Sequence, residues 1–216
     1  MKKTFKTDLF VGLGLVVAFG IWTAVVMLVD LRPIGPQGSI VGLSSINGAV
    51  HRLVGVNMAL YTITDWLSLL PLGLAAAFGV MGLAQLIKRK SLWQVDYSLL
   101  VLGGFYIVVM VAFFLFELVE VNYRPVLING CLEASYPSST TLLVACIMPT
   151  AATELSRRIK ASSTRRWACA ICTAFLAFMV VGRILSGVHW FSDIIGGILL
   201  SGGLVMTYRG VVGLKT

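Results

Sequence analysis

The chain has 216 residues, of which 58% are hydrophobic and only 12% charged, with a formal net charge of +8. Soluble domains average about 45–50% apolar and about 25% charged residues, so a mean hydropathy of +0.93 excludes an ordinary soluble domain and calls for an integral membrane protein. The excess positive charge does not mark a nucleic-acid binder, because most basic residues flank apolar runs, as the positive-inside rule describes.

Residues 1–6 look like the start of a signal peptide, but the apolar run after Asp8 is too long and lacks a small-x-small ending. Residues 9–29 are therefore expected to be a retained first span, long enough to cross a bilayer core of about 30 Å. Lys2, Lys3 and Lys6 before it place the N-terminus in the cytoplasm. A Gly-, Pro- and Ser-rich loop follows over 30–48. Residues 49–64 are moderately apolar but carry His51, Arg52 and Asn57, and predict an interfacial helix on the outer side.

Residues 66–87 form the second predicted span, closed by Lys88, Arg89 and Lys90. Residues 97–116 return outward to Glu117 and Glu120, and an outer loop runs to Pro137. The fourth span, 138–156, ends at the basic cluster Arg157, Arg158, Lys160, Arg165 and Arg166. Spans five and six cover 167–186 and 191–208, the last ending at Arg209 and Lys215. The expected fold is all-α: one polytopic membrane domain over 1–216, six transmembrane helices in one bundle, and an outer interfacial helix after the first span. Both termini are cytoplasmic, and a bacterial plasma membrane is the expected setting. Of 17 Lys and Arg residues, only Arg32, Arg52, Arg124 and Arg183 fall outside. Cys146, Cys169 and Cys172 lie in apolar runs and Cys131 in a loop, so no disulfide framework is expected. Gly196-Gly197 and Gly202-Gly203 allow close helix packing.

Ionisable residues at membrane depth are costly and read as functional by default. Three polar segments converge on the outer face in this topology. Tyr123-Arg124-Pro125 is the first, and residues 136–141, Tyr-Pro-Ser-Ser-Thr-Thr, are the second. The third, residues 181–193, holds Arg183, His189 and Asp193. His189 and Asp193 are four residues apart, a spacing at which a carboxylate can orient an imidazole. Pro137 is expected to open the fourth helix. The unpaired N–H groups at that terminus, with Ser138, Ser139 and Thr140, would form an anion site. Arg124 and Arg183 would add forked contacts to phosphate oxygens.

In order and spacing these segments resemble the type 2 phosphatidic acid phosphatase family of membrane lipid phosphatases. Its motifs are Lys-x6-Arg-Pro, Pro-Ser-Gly-His and Ser-Arg-x5-His-x3-Asp. Arg124-Pro125, Pro137-Ser138, and Arg183, His189 and Asp193 match them. The resemblance implies His189 as the nucleophile, Asp193 as its orienter, and Arg124, Arg183 and Ser138 as phosphate holders. It implies a phosphohistidine intermediate and neither cofactor nor metal. The sequence departs from the family at Glu117 in place of Lys, Ser139 in place of Gly, Thr140 in place of the general-acid His, and Gly182 in place of Ser. His51, the only other histidine, is a candidate alternative acid, as are Glu120 and Glu133.

The expected activity is removal of phosphate from a lipid phosphate or polyprenyl diphosphate on the outer face. Its partners would be that lipid and the bilayer, with no nucleic acid; the sequence leaves the oligomeric state open. The competing readings are a non-catalytic relative that binds a lipid phosphate or membrane partner, and a small transporter. The outward position of the charges weighs against the transporter.

Overall fold

The computed structural model of the chain describes residues 2–215. Among them are eight α-helices: α1 (Lys2–Leu28), α2 (Ser44–Val54), α3 (Met58–Leu67), α4 (Leu69–Arg89), α5 (Tyr97–Leu118), α6 (Ser139–Arg158), α7 (Ser162–Ser186) and α8 (Phe191–Val212). Extended pairing among these residues is confined to isolated bridges, such as Tyr123 with Ala134 in the loop before α6. The protein is all-helical and an integral membrane protein. Five stretches are long and apolar enough to cross a membrane: Phe5–Leu28, Met58–Arg89, Tyr97–Leu118, Ser162–Ser186 and Phe191–Val212.

α6 is not among the five, although it is 20 residues long. It packs against α4, α5, α7 and α8 and buries Thr140, Thr141, Thr150 and Glu154. A helix enclosed by other helices faces little lipid, so its composition need not be as apolar as theirs. Its buried polar groups are satisfied within the protein. The Thr150 hydroxyl donates to the Cys146 carbonyl at 2.8 Å. Glu154, fully buried, accepts from Tyr208 Oη at 2.9 Å, Ser98 Oγ at 3.0 Å and Arg158 Nη2 at 3.1 Å. Arg158 also reaches Asp96 at 3.2 Å, so one charged network ties α5, α6 and α8 together at the C-terminal end of α6.

The interfacial helix expected over 49–64 is instead two elements. α2 begins at Ser44 and stops at Val54, where Gly55 takes φ +70°. Asn57 then caps a new helix, its side-chain oxygen accepting from Leu60 N at 3.0 Å. Only Ser68 separates α3 from α4, and the apolar stretch covers Met58–Arg89 rather than 66–87. Asn57 misled the sequence reading because it looked like a polar residue on a helix face, whereas it acts as a helix start. Pro137 likewise does not open α6. The Tyr136–Pro137 peptide is cis, and α6 starts at Ser139 with Ser138 as its cap residue.

Two packing devices position the site. α1 lies along α8 through small residues. A Cβ built on Gly203 would sit 2.8 Å from Val16 Cγ2, and one on Gly12 would sit 2.5 Å from Thr207 Oγ1. At the other device, Tyr136 is wedged beneath the start of α6. Its ring stacks on Phe19 at 6.2 Å and meets Phe116 edge-on at 6.4 Å, and its hydroxyl bonds Thr23 Oγ1 at 2.8 Å. A Cβ on Gly196 would collide with the same ring at 2.7 Å, so α8 can come this close only with glycine there. The four cysteines are all free thiols.

Overpacking a tight contact costs about 1–3 kcal/mol. Gly203→Leu is therefore expected to lower the melting temperature of the purified protein. Gly14→Leu, where a Cβ meets nothing within 4 Å, is expected to leave it unchanged. Equal effects of the two substitutions in a thermal melt would contradict the α1–α8 contact.

Candidate active site

The site is built where α7 ends, α8 begins and α6 begins. α7 closes on Gly187, which has φ +64°. A Cβ there would be both strained and 1.8 Å from the Gly55 carbonyl oxygen, so the turn needs glycine. The backbone of Asn57 donates to Ser186 O at 2.9 Å, pinning the start of α3 to this turn. Four residues then lead from α7 into α8, and His189 is one of them.

His189 is 5% exposed. Its Nδ1 lies 3.2 Å from the Ser135 carbonyl oxygen, which can only accept. Its Nε2 lies 3.3 Å from Arg124 Nη1, which can only donate. These partners assign one tautomer: neutral, with the proton on Nδ1 and the lone pair on Nε2. Burial, then the Arg124 and Arg183 guanidiniums, hold its pKa well below the ordinary histidine value. The imidazole is therefore poised as a base or nucleophile at Nε2.

Asp193, also buried, lies with Oδ2 3.9 Å from His189 Nδ1, so it faces the ring without forming its closest bond. Its shorter contacts are with Trp190 N at 2.9 Å, Ser192 Oγ at 3.3 Å and Asn122 Nδ2 at 3.4 Å. It thus closes the first turn of α8 and fixes the loop that carries His189. Trp190 Nε1 donates to the Tyr123 carbonyl at 2.6 Å, which ties this loop to the segment bearing Arg124.

Arg183 is 1% exposed and supplies the main buried charge. Its Nη2 bonds Asp65 Oδ1 at 3.0 Å and donates to Thr140 Oγ1. Its Nε and Nη1 are buried with no hydrogen-bond partner. Arg124 is less enclosed, its side chain 11% exposed, and its Nε lies 3.1 Å from Glu133 Oε2. Both guanidiniums lie over the Tyr61 ring, at 4.9 Å for Arg183 and 5.9 Å for Arg124. Two cations flank one neutral imidazole, and Arg183 has donors to spare. Phosphate oxygens fit such donors as charge-assisted, forked acceptors.

The three sequence segments do meet here, through Arg124, Arg183, Thr140, Ser139 and His189. Ser139 borders a small recess with His189 and Glu117. No side chain caps the N-terminus of α6 beside it, which leaves its first N–H groups available to an anion. Ser138 is fully buried; its N–H donates to Asp193 O at 3.1 Å and its Oγ accepts from Thr141 Oγ1 at 3.1 Å. His51 is held apart from this set. Its ring packs on Trp190 at 5.4 Å, its Nδ1 is buried without a partner, and burial lowers its pKa. Glu120 bonds Tyr123 instead.

Asp65, Tyr61, Ser135 and Asn122 were missed in the sequence. Tyr61 and Asp65 stand four residues apart on α3, so they share a face. An acidic residue flanked by apolar runs was the available signal for Asp65. Ser135 acts through its carbonyl, which no side-chain pattern reveals. The structure also accounts for Gly182. A Cβ there would come 2.8 Å from Thr64 Cγ2, and Thr64 is fully buried.

Residues 117–214 match the model of the PAP2 superfamily, and this stretch includes Arg124, Thr140, Arg183, His189 and Asp193. The fold as a whole is similar to the crystal structure of the first transmembrane PAP2 type phosphatidylglycerolphosphate phosphatase from Bacillus subtilis. The TM-score is 0.62 at 21% identity, covering 95% of this chain and 97% of that one. No curated protein gives a match.

A cation near an imidazole disfavours its protonated form. His189 is accordingly expected to stay neutral in NMR titration to a pH well below 6.5, and Arg124→Gln to move its midpoint upward. A wild-type midpoint at or above 6.5 would contradict the arrangement.

Proposed function

We propose that the protein is a membrane phosphatase that removes phosphate from a lipid phosphate or a polyprenyl diphosphate, through a phosphohistidine on His189. The observation that carries this reading is the Nε2 lone pair of a buried neutral His189 facing Arg124, with Arg183 close by and buried donors on both arginines lacking a hydrogen-bond partner. The PAP2 match over the same residues supports it.

In this reading the phosphoryl group lies between Arg124, Arg183 and the free N–H groups at the start of α6, with Ser138, Ser139 and Thr140 beside it. Nε2 attacks phosphorus, an N–P bond forms, and the bond to the leaving oxygen breaks. The imidazole that becomes cationic keeps its Nδ1 proton on Ser135 O, with the Asp193 carboxylate behind it. Water then attacks phosphorus, the N–P bond breaks and inorganic phosphate departs. Developing charge on the equatorial oxygens is met by the fixed guanidiniums.

Protonation of the leaving group is the weak step. Thr140 stands where the resemblance expects a histidine acid, and its hydroxyl already accepts from Arg183. A hydroxyl is a poor acid at neutral pH, and a positioned acid contributes about 10²–10⁴-fold. A diphosphate sidesteps the loss, because its leaving group is itself a phosphate and needs little protonation. The preferred substrate is therefore a lipid diphosphate. His51 remains the alternative acid only if it moves off Trp190.

We also propose one membrane domain with α6 as a sixth, enclosed span, both termini cytoplasmic and His189 on the outer side. The basic residues Lys88, Arg89, Lys90, Arg157 and Arg158 support this orientation, because they sit at the helix ends away from His189. The competing reading is a non-catalytic binder of lipid phosphate. Thr140 and the exposed Glu117 beside the His189 recess favour it.

Phosphate release from a panel of lipids by the purified protein decides between them. Wild type is expected to hydrolyse a polyprenyl diphosphate faster than phosphatidic acid, with His189→Ala lowering the rate on the order of 10³-fold or more. No release from any mono- or diphosphate lipid would support the binder. Thr140→His is expected to raise turnover of the monophosphate lipid selectively, by about 10²-fold. An unchanged ratio of monophosphate to diphosphate turnover would contradict the assignment of Thr140 as the missing acid.

A further inference from the structure

We propose that the protein carries a binding groove for an anionic phospholipid between α4 and α5, at the end of the bundle opposite His189. The groove is a cavity of about 290 Å³. Phe78, Leu99 and Leu102 form its buried floor, and Gly79, Gly82 and Gly103 form its walls. A Cβ built on any of these three glycines meets nothing within 4 Å. The glycines are therefore not there to let two helices touch, as Gly203 does. They leave open space along the lipid-facing side.

The groove has direction and length. On α4 the groove is lined from Phe78 through Gly79, Gly82 and Leu83 to Leu86, one turn before the helix ends at Lys88, Arg89 and the capping residue Lys90. At 1.5 Å per residue that lining runs about 12 Å along α4. Half of a bilayer core is about 15 Å thick, so the groove covers most of the depth of one leaflet and accommodates part of an acyl chain.

The mouth selects the head group. Arg89 is engaged by Asp96 at 3.2 Å. Lys88 and Lys90 are exposed and make no ion pair among the described residues. Trp93, 93% exposed, lies in the loop after α4, next to Leu92, which lines the groove. An amphipathic ring with unpaired lysines above an apolar slot matches the phosphate, glycerol and chain of one lipid molecule. Two free cations without a carboxylate favour a net-negative head group over a zwitterionic one. The inference does not depend on the phosphatase reading, because no residue of the His189 site takes part.

Native mass spectrometry of the full-length protein in detergent, with phosphatidylglycerol or phosphatidylcholine of identical chains as probes, tests the groove. Phosphatidylglycerol is expected to be retained about tenfold more than phosphatidylcholine. Lys88→Gln with Lys90→Gln should reduce phosphatidylglycerol to the phosphatidylcholine level while leaving the melting temperature unchanged. Gly79→Leu with Gly103→Leu should lower retention of both lipids. Equal retention of the two lipids by wild type would overturn the proposal, as would a lysine variant that keeps the preference. Undiminished binding by a folded, groove-filled variant would also overturn it. The lysine variant alters only exposed side chains, so it decides the outcome even if the glycine variant fails to fold.

Discussion

A guanidinium buried at the end of a membrane helix is the constraint on which the site depends. Arg183 cannot be neutralised by losing its proton, and it is almost wholly shielded from water. Asp65 meets one of its nitrogens and Tyr61 offers it a ring face, yet two of its donors remain without partners. Unsatisfied buried donors are expensive. A structure that keeps them, and adds Arg124 beside them, is organised for an anion that completes the set. The neutral state of His189 follows from burial first and then from the same charge, because desolvation and both arginines oppose its protonation. The positive field that would bind a phosphate thus adds to what burial does in keeping the imidazole unprotonated.

The surrounding bundle reads as support for that arrangement. Tyr136 wedges the start of α6 against Phe19 and Phe116, and Gly196 lets α8 close over it. Asp193 serves the loop as much as the ring, since its shortest bond is to the Trp190 backbone. The turn at Gly187 is locked by Gly55 and by the Asn57–Ser186 bond, so α3 brings Asp65 and Tyr61 to Arg183. A region 118 residues earlier in the chain thereby becomes part of the site.

Much of this was legible in the sequence, for identifiable reasons. Long apolar runs closed by basic clusters announced the helices, and the spacing from Arg183 to His189 to Asp193 announced the site. What was illegible depended on tertiary context. Asn57 is polar either on a helix face or as a cap, and only the Gly55 break distinguishes the two. Ser135 contributes a carbonyl, and Asp65 acquires meaning only through its contact with Arg183. Gly182 looked like a loss from the family pattern, but Thr64 fills the space a larger residue would need. Thr140 and Glu117 have no such structural compensation. They are the two positions at which fold and chemistry pull apart.

The central claim is that His189 Nε2 takes the phosphoryl group. Brief mixing of the purified protein with a terminally ³²P-labelled polyprenyl diphosphate, followed by alkaline quench and peptide mapping, tests it directly. Acid-labile, base-stable label on His189, absent from His189→Ala, is the expected result. Turnover by the wild-type protein with no label on His189, or with label on another residue, would contradict it.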